Sequence, residues 1–437
     1  MAFTFLQLLG IKLRLNNHFS YLLLISILLI WPLFASSATP LEDPIPGANV
    51  ASIRTWLYQH NPQLRALQAE TEAAEARVQP AGALPNPMFS VEFLGINASQ
   101  PSMAPGNDDT SIYRVRQGFP LWGKRELSRD VERNKAKAYG LDRDAVALDL
   151  LARAEDSYVR YWYIGEAEAI INRQISLIEQ IQEIASTRYA LGLAVQQDSI
   201  RAQVERTAMQ RELIERRTVR REAVAELNSV LGRRVDASLA TPISQPDLAV
   251  SSNNLATSLE SLEHGVHPGI QASLTMATAA SRNVELVKRN RYPDVYLTVG
   301  AMQQNTNIES YEVMLEVEIP FQQRALRERE RESRLLEESA LARASQEQLD
   351  LQGRLGMAWS RWNGAKEQRE LIENTLLPQA DANYKSALAS YQVSKVDFGT
   401  LLAALTEWQG ADLARIDATR DELLGAVAVR AIIGDSK

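Results

Sequence analysis

Residues 85–94 read Pro-Asn-Pro-Met-Phe-Ser-Val-Glu-Phe-Leu, and the fold of the chain follows from the pattern in this stretch. Phe89, Val91 and Phe93 alternate with polar residues such as Glu92. A period of two residues is that of a β-strand whose two faces meet different surroundings. The stretch therefore predicts a strand with one apolar and one polar face.

The same alternation occurs in three further segments. The other apolar positions are Val115, Val295, Leu297, Val299, Val313, Leu315 and Val317. The charged positions on the opposite faces are Glu92, Arg114, Arg116, Glu312, Glu316 and Glu318. Polar segments, Gly95–Thr110 and Gly300–Ser310, separate the strands and are predicted to be turns. Two β-hairpins are therefore predicted, at residues 88–119 and 294–319.

The chain contains an internal repeat. A shift of 206 positions places Trp56, Pro62, Leu64, Pro87 and Phe89 on Leu262, Pro268, Ile270, Pro293 and Val295. The shift falls to 200 at Phe119-Pro120 and is 202 at Tyr189. We interpret residues 39–232 and 255–437 as two copies of one unit, joined by a linker at residues 233–254.

Each copy is predicted to open with a helix, at about Pro62–Gln79 and Pro268–Asn290, and to end in a long helical hairpin, at residues 124–231 and 324–432. Lys124–Tyr189 contains no proline and would form a rod of about 100 Å. Such a rod needs a partner helix. Its isoleucine seam is formed by Ile171, Ile175, Ile178, Ile181 and Ile184, whose spacing is that of a coiled coil.

The N-terminus has the pattern of a secretory signal, predicted to span residues 1–38. Lys12 and Arg14 precede the apolar run 22–34, and small residues follow at Ser36-Ser37-Ala38. A membrane anchor is the alternative, but the run has about 13 residues and a spanning helix needs about 20. We expect cleavage, and hence export of the mature chain.

Composition excludes several classes of protein. The 437-residue chain has no cysteine, which excludes disulfide frameworks, thiolate catalysis and Cys-ligated metals. A net charge of −7 argues against nucleic-acid binding. The histidines of the predicted mature chain, His60, His264 and His267, have no second ligand at metal-site spacing. No phosphate loop, dinucleotide loop or nucleophile elbow occurs, so we predict neither an enzyme nor a cofactor nor a metal site.

Several motifs resemble those of the TolC-type outer-membrane efflux factors. They are Leu84-Pro85-Asn86-Pro87 before the first hairpin, Phe119-Pro120-Leu121-Trp122-Gly123-Lys124-Arg125 after it, and the helical turns Arg188-Tyr189-Ala190-Leu191-Gly192 and Ser390-Tyr391-Gln392-Val393. Within the family the chain looks most similar to the CzcC/CusC-like branch, which serves heavy-metal efflux. It departs from many relatives in lacking an N-terminal cysteine for acylation.

The resemblance implies a mainly α protomer with a small β part. Three protomers would close a twelve-stranded barrel in the outer membrane of a Gram-negative cell, continued by an α-helical barrel in the periplasm. The chain would then pass substrates, expected to be heavy-metal cations, from an inner-membrane pump of the RND type through a periplasmic adaptor.

In such a barrel the apolar positions of the strands would face lipid and the charged positions would face the lumen. Aromatic residues at the strand ends, Phe119, Trp122, Tyr292 and Phe321, would lie at a membrane interface. The periplasmic tip, where the adaptor is expected to dock, would be formed by Arg188, Tyr189, Leu191, Gly192, Tyr391, Val393, Ser394 and Lys395.

Two other functions remain open at the level of sequence. A soluble periplasmic coiled-coil adaptor or spacer would explain the long helices but not the alternating strands. An outer-membrane conduit for drugs or a secreted polypeptide would explain both.

Overall fold

The computed structural model describes residues 45–96, 110–251, 254–265, 267–305 and 307–434. The predicted signal at residues 1–38 and most of the predicted turn Gly95–Thr110 lie outside these ranges.

Helices dominate the fold, and their order occurs twice along the chain. In the first half they are α1 (Val50–His60), α2 (Pro62–Ala81), α3 (Lys124–Ala190) and α4 (Gln196–Val230). In the second half they are α5 (Leu255–Glu263), α6 (Pro268–Arg289), α7 (Gln323–Leu371), α8 (Leu377–Gln392) and α9 (Phe398–Ile433). The short helices α1 and α5 were not anticipated from the sequence.

Local sequence accounts for the helix boundaries. Asn61 caps α2 by accepting hydrogen bonds from the backbone of Gln63 and Leu64, and Pro62 occupies the first position, where no N–H is needed. The arrangement recurs at α6, where His267 Nδ1 accepts a bond from Gly269 N at 3.1 Å. Burial lowers the pKa of His267, so this imidazole stays neutral as a cap requires.

A π-helical segment, Ile372–Leu376, separates α7 from α8. Leu377 N–H bonds to the Ile372 carbonyl, five residues back. Pro378 follows and has no N–H to give to the preceding turn, which is the physical cause of the irregularity.

The strands are β1 (Met88–Leu94), β2 (Thr110–Phe119), β3 (Asp294–Gln304) and β4 (Asn307–Glu318). They form one antiparallel sheet in the order β1-β2-β3-β4, so the two hairpins lie side by side. The predicted turn Gly300–Ser310 was too long, because β3 and β4 continue to Gln304 and Asn307. Paired strands satisfy the backbone groups of these polar residues, which overrides their weak strand preference.

The helices form a layer in which α4 packs on α3, α3 on α9, and α9 on α7 and α8. Polar bonds mark the α3–α9 contact: the Tyr163 hydroxyl donates to Asp417 at 2.5 Å, and the Gln174 amide donates to the Gln409 carbonyl at 3.3 Å. Isoleucines of the predicted seam, including Ile171, line the core of α3. The structure confirms a mainly helical fold with long paired helices and four antiparallel strands.

Candidate functional site

The register of the sheet puts all the alternating apolar positions on one face. Phe89 pairs with Val115, Val115 with Val299, and Val299 with Val313, and directly paired residues point to the same side. The apolar face consists of Phe89, Val91, Phe93, Val115, Val295, Leu297, Val299, Val313, Leu315 and Val317. The charged face lies opposite and carries Glu92, Arg114, Arg116, Glu312, Glu316 and Glu318.

The side chains of the apolar face are more exposed to solvent than large apolar side chains on the surface of a soluble protein usually are. Val313 is 76% exposed, Leu315 68% and Phe89 65%. A contiguous apolar patch of this kind marks a surface that contacts a membrane or another protein. The polar side chain of Gln117 also lies on this side of the sheet, and its amide donates hydrogen bonds to the Pro85 and Gly118 carbonyls.

Aromatic residues flank the apolar face at both ends. Trp122 and Tyr292 stack at the helix end, with ring centroids 5.2 Å apart, and the Trp122 indole donates to the Pro293 carbonyl at 2.8 Å. Tyr311 lies toward the other end of β4 and is 80% exposed. The sequence did not predict Tyr311 as a flanking aromatic, because it lies within a strand and away from the junctions of helix and strand. From Tyr311 to Glu318 the strand rises about 23 Å, close to the roughly 25 Å apolar band of membrane barrels.

Arg114 connects all four strands on the charged face. From β2 its guanidinium bonds to Glu92 on β1 and to Glu312 on β4. The second bond passes over β3 at Gly300, which lies between Arg114 and Glu312 in the register. A Cβ on Gly300 would lie 2.8 Å from both Glu312 Oε1 and the Tyr113 carbonyl. Glycine is therefore required where the ion pair crosses the strand.

A second set of contacts follows on the same face. Arg116 pairs with Glu316 at 2.9 Å and lies over the Tyr296 ring, 4.1 Å from its centroid. The Tyr296 hydroxyl donates to Glu318 at 2.7 Å. Glu312 and Glu316 thus form ion pairs with arginines, whereas Glu318 accepts a hydrogen bond from the uncharged Tyr296. Tyr296 and Gly300 were not predicted to belong to this face; an isolated glycine within a strand was the signal that could have pointed to Gly300.

Substituting Gly300 by Val should destabilise the sheet, because the new side chain would strike the Tyr113 carbonyl and displace Glu312. Overpacking of this kind costs about 1–3 kcal/mol. The check is the thermal unfolding midpoint of the purified protein. Gly353→Ala is the control, since a Cβ there has no neighbour within 4 Å and alanine favours a helix interior. Equal midpoints for Gly300→Val and the unsubstituted chain would contradict this account.

The two helical turns lie together at the far ends of the long helices. Arg188, at the end of α3, donates to the Gln392 carbonyl at 2.7 Å and to Ser394 Oγ at 2.6 Å. Its guanidinium also lies over the Tyr391 ring, 4.8 Å from the centroid. Tyr391 in turn donates to Asp198 of α4 at 3.3 Å. Burial, together with the Asp198 carboxylate, raises the pKa of Tyr391, which therefore remains a donor at neutral pH.

Both turns have the same backbone geometry. Gly192 and Ser394 adopt left-handed conformations, with φ of 73° and 60°. The next N–H in each returns to the last helical turn: Leu193 bonds to the Arg188 carbonyl and Lys395 to the Ser390 carbonyl, each at 2.8 Å. This geometry is that of a helix C-cap with a left-handed residue after the last turn.

The predicted tip residues differ in what they can contact. Leu191 is 68% exposed, Val393 63% and Tyr189 48%, and Lys395 is exposed as well. Tyr391 is the exception, since it is 2% exposed and packs edge-on against Phe398, with ring centroids 5.6 Å apart. A buried ring cannot dock a partner directly, so the expectation for Tyr391 is corrected: it holds the turn in place.

Within the ranges that the structure describes, no three His, Asp or Glu side chains form a group able to hold a metal ion. Among the described helices, none is long and apolar enough to cross a membrane.

Comparison with known proteins finds similarity to outer-membrane channel proteins in sequence over part of the chain and in fold over most of it. Residues 56–233 match the model of the outer membrane efflux protein family. No curated protein sequence gives a significant match. The proteins of that family are non-enzymatic transport channels.

The fold is that of several solved outer-membrane channels. The outer-membrane channel OprN is 17% identical with a TM-score of 0.74, over 92% of this chain and 96% of that chain. CusC is 14% identical with a TM-score of 0.75, over 89% and 92%. VceC of Vibrio cholerae is 16% identical with a TM-score of 0.73, over 88% and 96%.

Proposed function

We propose that this chain is the outer-membrane channel of a tripartite efflux system, which passes substrates from an inner-membrane pump and a periplasmic adaptor to the exterior. One observation carries the proposal: a sheet with an exposed apolar face and a charged face is joined to long paired helices that end in two bridged turns. The family match over residues 56–233 supports it.

Assembly into a homotrimer follows from the two edges of the sheet. Among the strands of the described residues, β1 and β4 each have one side without a partner strand in the same protomer. Unpaired backbone groups are costly in lipid, and four strands are too few to close a barrel. We infer that β4 of one protomer pairs with β1 of the next, so that three protomers form a twelve-stranded barrel. The apolar face then contacts outer-membrane lipid and the charged face lines the lumen.

Three further regions of the chain have a role in the proposed channel. Residues 1–38 act as a cleaved signal for export. Residues 39–232 and 255–437 are two copies of one unit, which suits a ring built from repeated hairpins. The two bridged turns lie in the periplasm and dock the adaptor of an RND-type pump.

Heavy-metal cations are the substrate class that we propose. TM-scores of 0.74, 0.75 and 0.73 for OprN, CusC and VceC do not single out the metal branch. The support is instead the charged face, where four carboxylates oppose two guanidinium groups. Deletion of the gene followed by growth on metal salts, dyes and antibiotics tests this class, and sensitivity to dyes alone would overturn it.

Fractionation tests the channel itself. A channel partitions with the outer membrane and resists extraction by salt, whereas a soluble adaptor or spacer stays in the periplasmic fraction. Recovery in the soluble fraction would refute the proposal.

We expect the trimer to be cation-selective in planar bilayers at low salt. The four carboxylates and two guanidinium groups of the charged face give a net charge of −2 per protomer, since Asp294 on the same side is paired with Lys124. A charged wall concentrates the opposite ion. Changing Glu312, Glu316 and Glu318 together to Gln leaves one carboxylate and a net charge of +1. The cation preference should then disappear or reverse, and the difference should shrink at high salt, where screening is strong.

The reversal potential in a salt gradient measures this preference. A matched control removes three carboxylates from α7 by changing Glu332, Glu337 and Glu338 to Gln, and it should keep the selectivity of the unsubstituted channel. If changing Glu312, Glu316 and Glu318 to Gln leaves the selectivity unchanged, the ion pairs of the charged face only keep the wall of the lumen hydrated.

A further inference from the structure

Basic residues cluster at the end of α6 that leads into the sheet. Residues 282–292 carry four basic side chains and one acidic one, whereas the whole chain has a net charge of −7. Lys288 and Arg289, here called the basic cluster, lie in the last turn of α6 and are exposed. Among the described residues neither has a carboxylate at ion-pair distance, and Arg289 lies 5.9 Å from the centroid of the Tyr292 ring. Two positive charges are therefore available to an anionic ligand.

The geometry of α3 shows which side of the layer the basic cluster faces. Lys124, the first residue of α3, bonds to Asp294 at 2.9 Å, and Asp294 shares the side of the charged face because it pairs with Glu318. Glu126 follows Lys124 by two residues, a rotation of about 200° in an α-helix, and therefore points to the opposite side. Glu126 lines one groove together with the basic cluster. The basic cluster thus lies on the side of the apolar face.

This groove joins the basic cluster to the aromatic end of the apolar face. Its lining includes Trp122 and Tyr292, and its volume of about 660 Å³ is large enough for a phosphate-ester headgroup. Lipid headgroups occupy about 5–8 Å on each side of the hydrocarbon core. The basic cluster lies within the last helical turn of α6, whose rise is about 5 Å, just before the chain reaches Tyr292. Its charges are therefore at the level of the headgroups when the apolar face contacts hydrocarbon.

The carboxylates that line the groove do not neutralise the basic cluster. Three of the four form ion pairs with other arginines, namely Glu285 with Arg282 at 3.0 Å, Asp130 with Arg133 at 2.5 Å, and Glu330 with Arg334 at 2.6 Å. The fourth, Glu126, lies in the first turn of α3, where the helix dipole stabilises a carboxylate. Arg291 also bonds to Glu330, so the groove with these partners has six positive and four negative charges.

The two helices that lead into β1 and β3 differ at this point. α2 precedes β1 as α6 precedes β3, and the shift of 206 places Gly82 and Ala83 opposite Lys288 and Arg289. A helix that leads into a strand of this sheet therefore does not require basic residues at its end. Their presence on α6 favours a role in binding.

We propose that the basic cluster binds an anionic phospholipid of the outer-membrane leaflet that faces the periplasm. Its phosphate lies at Lys288 and Arg289, and its acyl chains lie against the apolar face. The inference rests on the proposed orientation of the sheet in the outer membrane and adds a lipid-binding site to it. Clusters of Lys and Arg beside a membrane attract anionic headgroups, and a guanidinium binds phosphate through two hydrogen bonds. Trp122 and Tyr292 lie between headgroup and chains, where aromatic rings with a polar edge are enriched.

Native mass spectrometry of the detergent-solubilised protein tests the site. Dioleoyl phosphatidylglycerol is the anionic probe and dioleoyl phosphatidylcholine the zwitterionic one, and half occupancy should need at least ten times less of the anionic lipid. Lys288→Gln/Arg289→Gln should raise the phosphatidylglycerol concentration at half occupancy at least tenfold. Both side chains are exposed, so their loss leaves the core intact.

Two further variants separate the position of the charges from their number. Arg217→Gln/Arg221→Gln removes the same charge from exposed positions of α4 and should bind phosphatidylglycerol as the unsubstituted protein does. Lys288→Arg/Arg289→Lys keeps the charge at the site and should bind equally well.

The outcomes distinguish the lipid site from the channel. Equal binding of the two lipids, unchanged binding by Lys288→Gln/Arg289→Gln, or an equal loss in the α4 variant would overturn the site. The proposed channel stands in each of these cases when the same protein fractionates with the outer membrane. Recovery of the chain in the soluble periplasmic fraction would overturn the channel and the lipid site together.

Discussion

Leu315→Arg should prevent stable assembly of the channel. Leu315 lies near the middle of the apolar face and is 68% exposed in the protomer, so an arginine there would meet hydrocarbon. Arginine at the midplane of a membrane barrel costs about 2–4 kcal/mol, and three copies would cost about 6–12 kcal/mol per trimer. A loss of this size exceeds or matches the stability of many folded domains. We expect little of the variant in the outer-membrane fraction, and a much lower urea midpoint for what is recovered.

Met314→Arg is the matched control. Met314 is the neighbour of Leu315 on β4 and points to the charged face, where Glu312 and Glu316 flank it on the same strand. An arginine at this position would meet water and carboxylates, and assembly should be close to normal. If both variants assemble equally well, the proposed orientation of the sheet is refuted. If only Met314→Arg fails to assemble, the charged face, and not the apolar face, contacts lipid.

The double substitution Leu191→Glu/Val393→Glu should abolish export without affecting assembly. Both side chains are exposed at the helical turns, so the protomer loses no core packing. If each is buried on docking, it contributes about 1.5–3 kcal/mol, and losing both would weaken adaptor binding by more than 100-fold. Growth on the exported toxic substrate measures the loss, and a photocrosslinker at the exposed position Tyr189 measures adaptor contact.

Ile243→Glu provides the control for this experiment. Ile243 is 79% exposed but lies in the segment between the halves, away from the turns. The control should export normally, and both proteins should reach the outer membrane at equal levels. Continued crosslinking to the adaptor in the double variant would mean that docking uses another surface.

The faces of the sheet could be read from sequence because strand alternation is a local property. Once Phe89 and Val115 belong to paired strands, every second residue must share their side. The same holds for the long helices, whose seam through Ile171 follows from helical periodicity. The interpretation of an internal repeat also rests on spacing, and a helix begins at both Pro62 and Pro268. The channel function, the homotrimer and the substrate class are proposals, which these local patterns alone do not establish.

Contacts between distant residues could not be read in this way. That Arg114 reaches both Glu92 and Glu312 depends on the order of four strands, and on Gly300 leaving space between them. That Tyr391 is buried under Arg188, rather than exposed at the tip, depends on how two turns about 200 residues apart come together.

The sequence by itself determined the positions of the strands and the long helices and their apolar and polar sides, because these depend on the spacing of neighbouring residues. Tertiary structure decided which charges pair and which aromatic residue supports a turn. These features depend on distances between elements far apart in the chain, and the periodicity of a single segment carries no information about such distances.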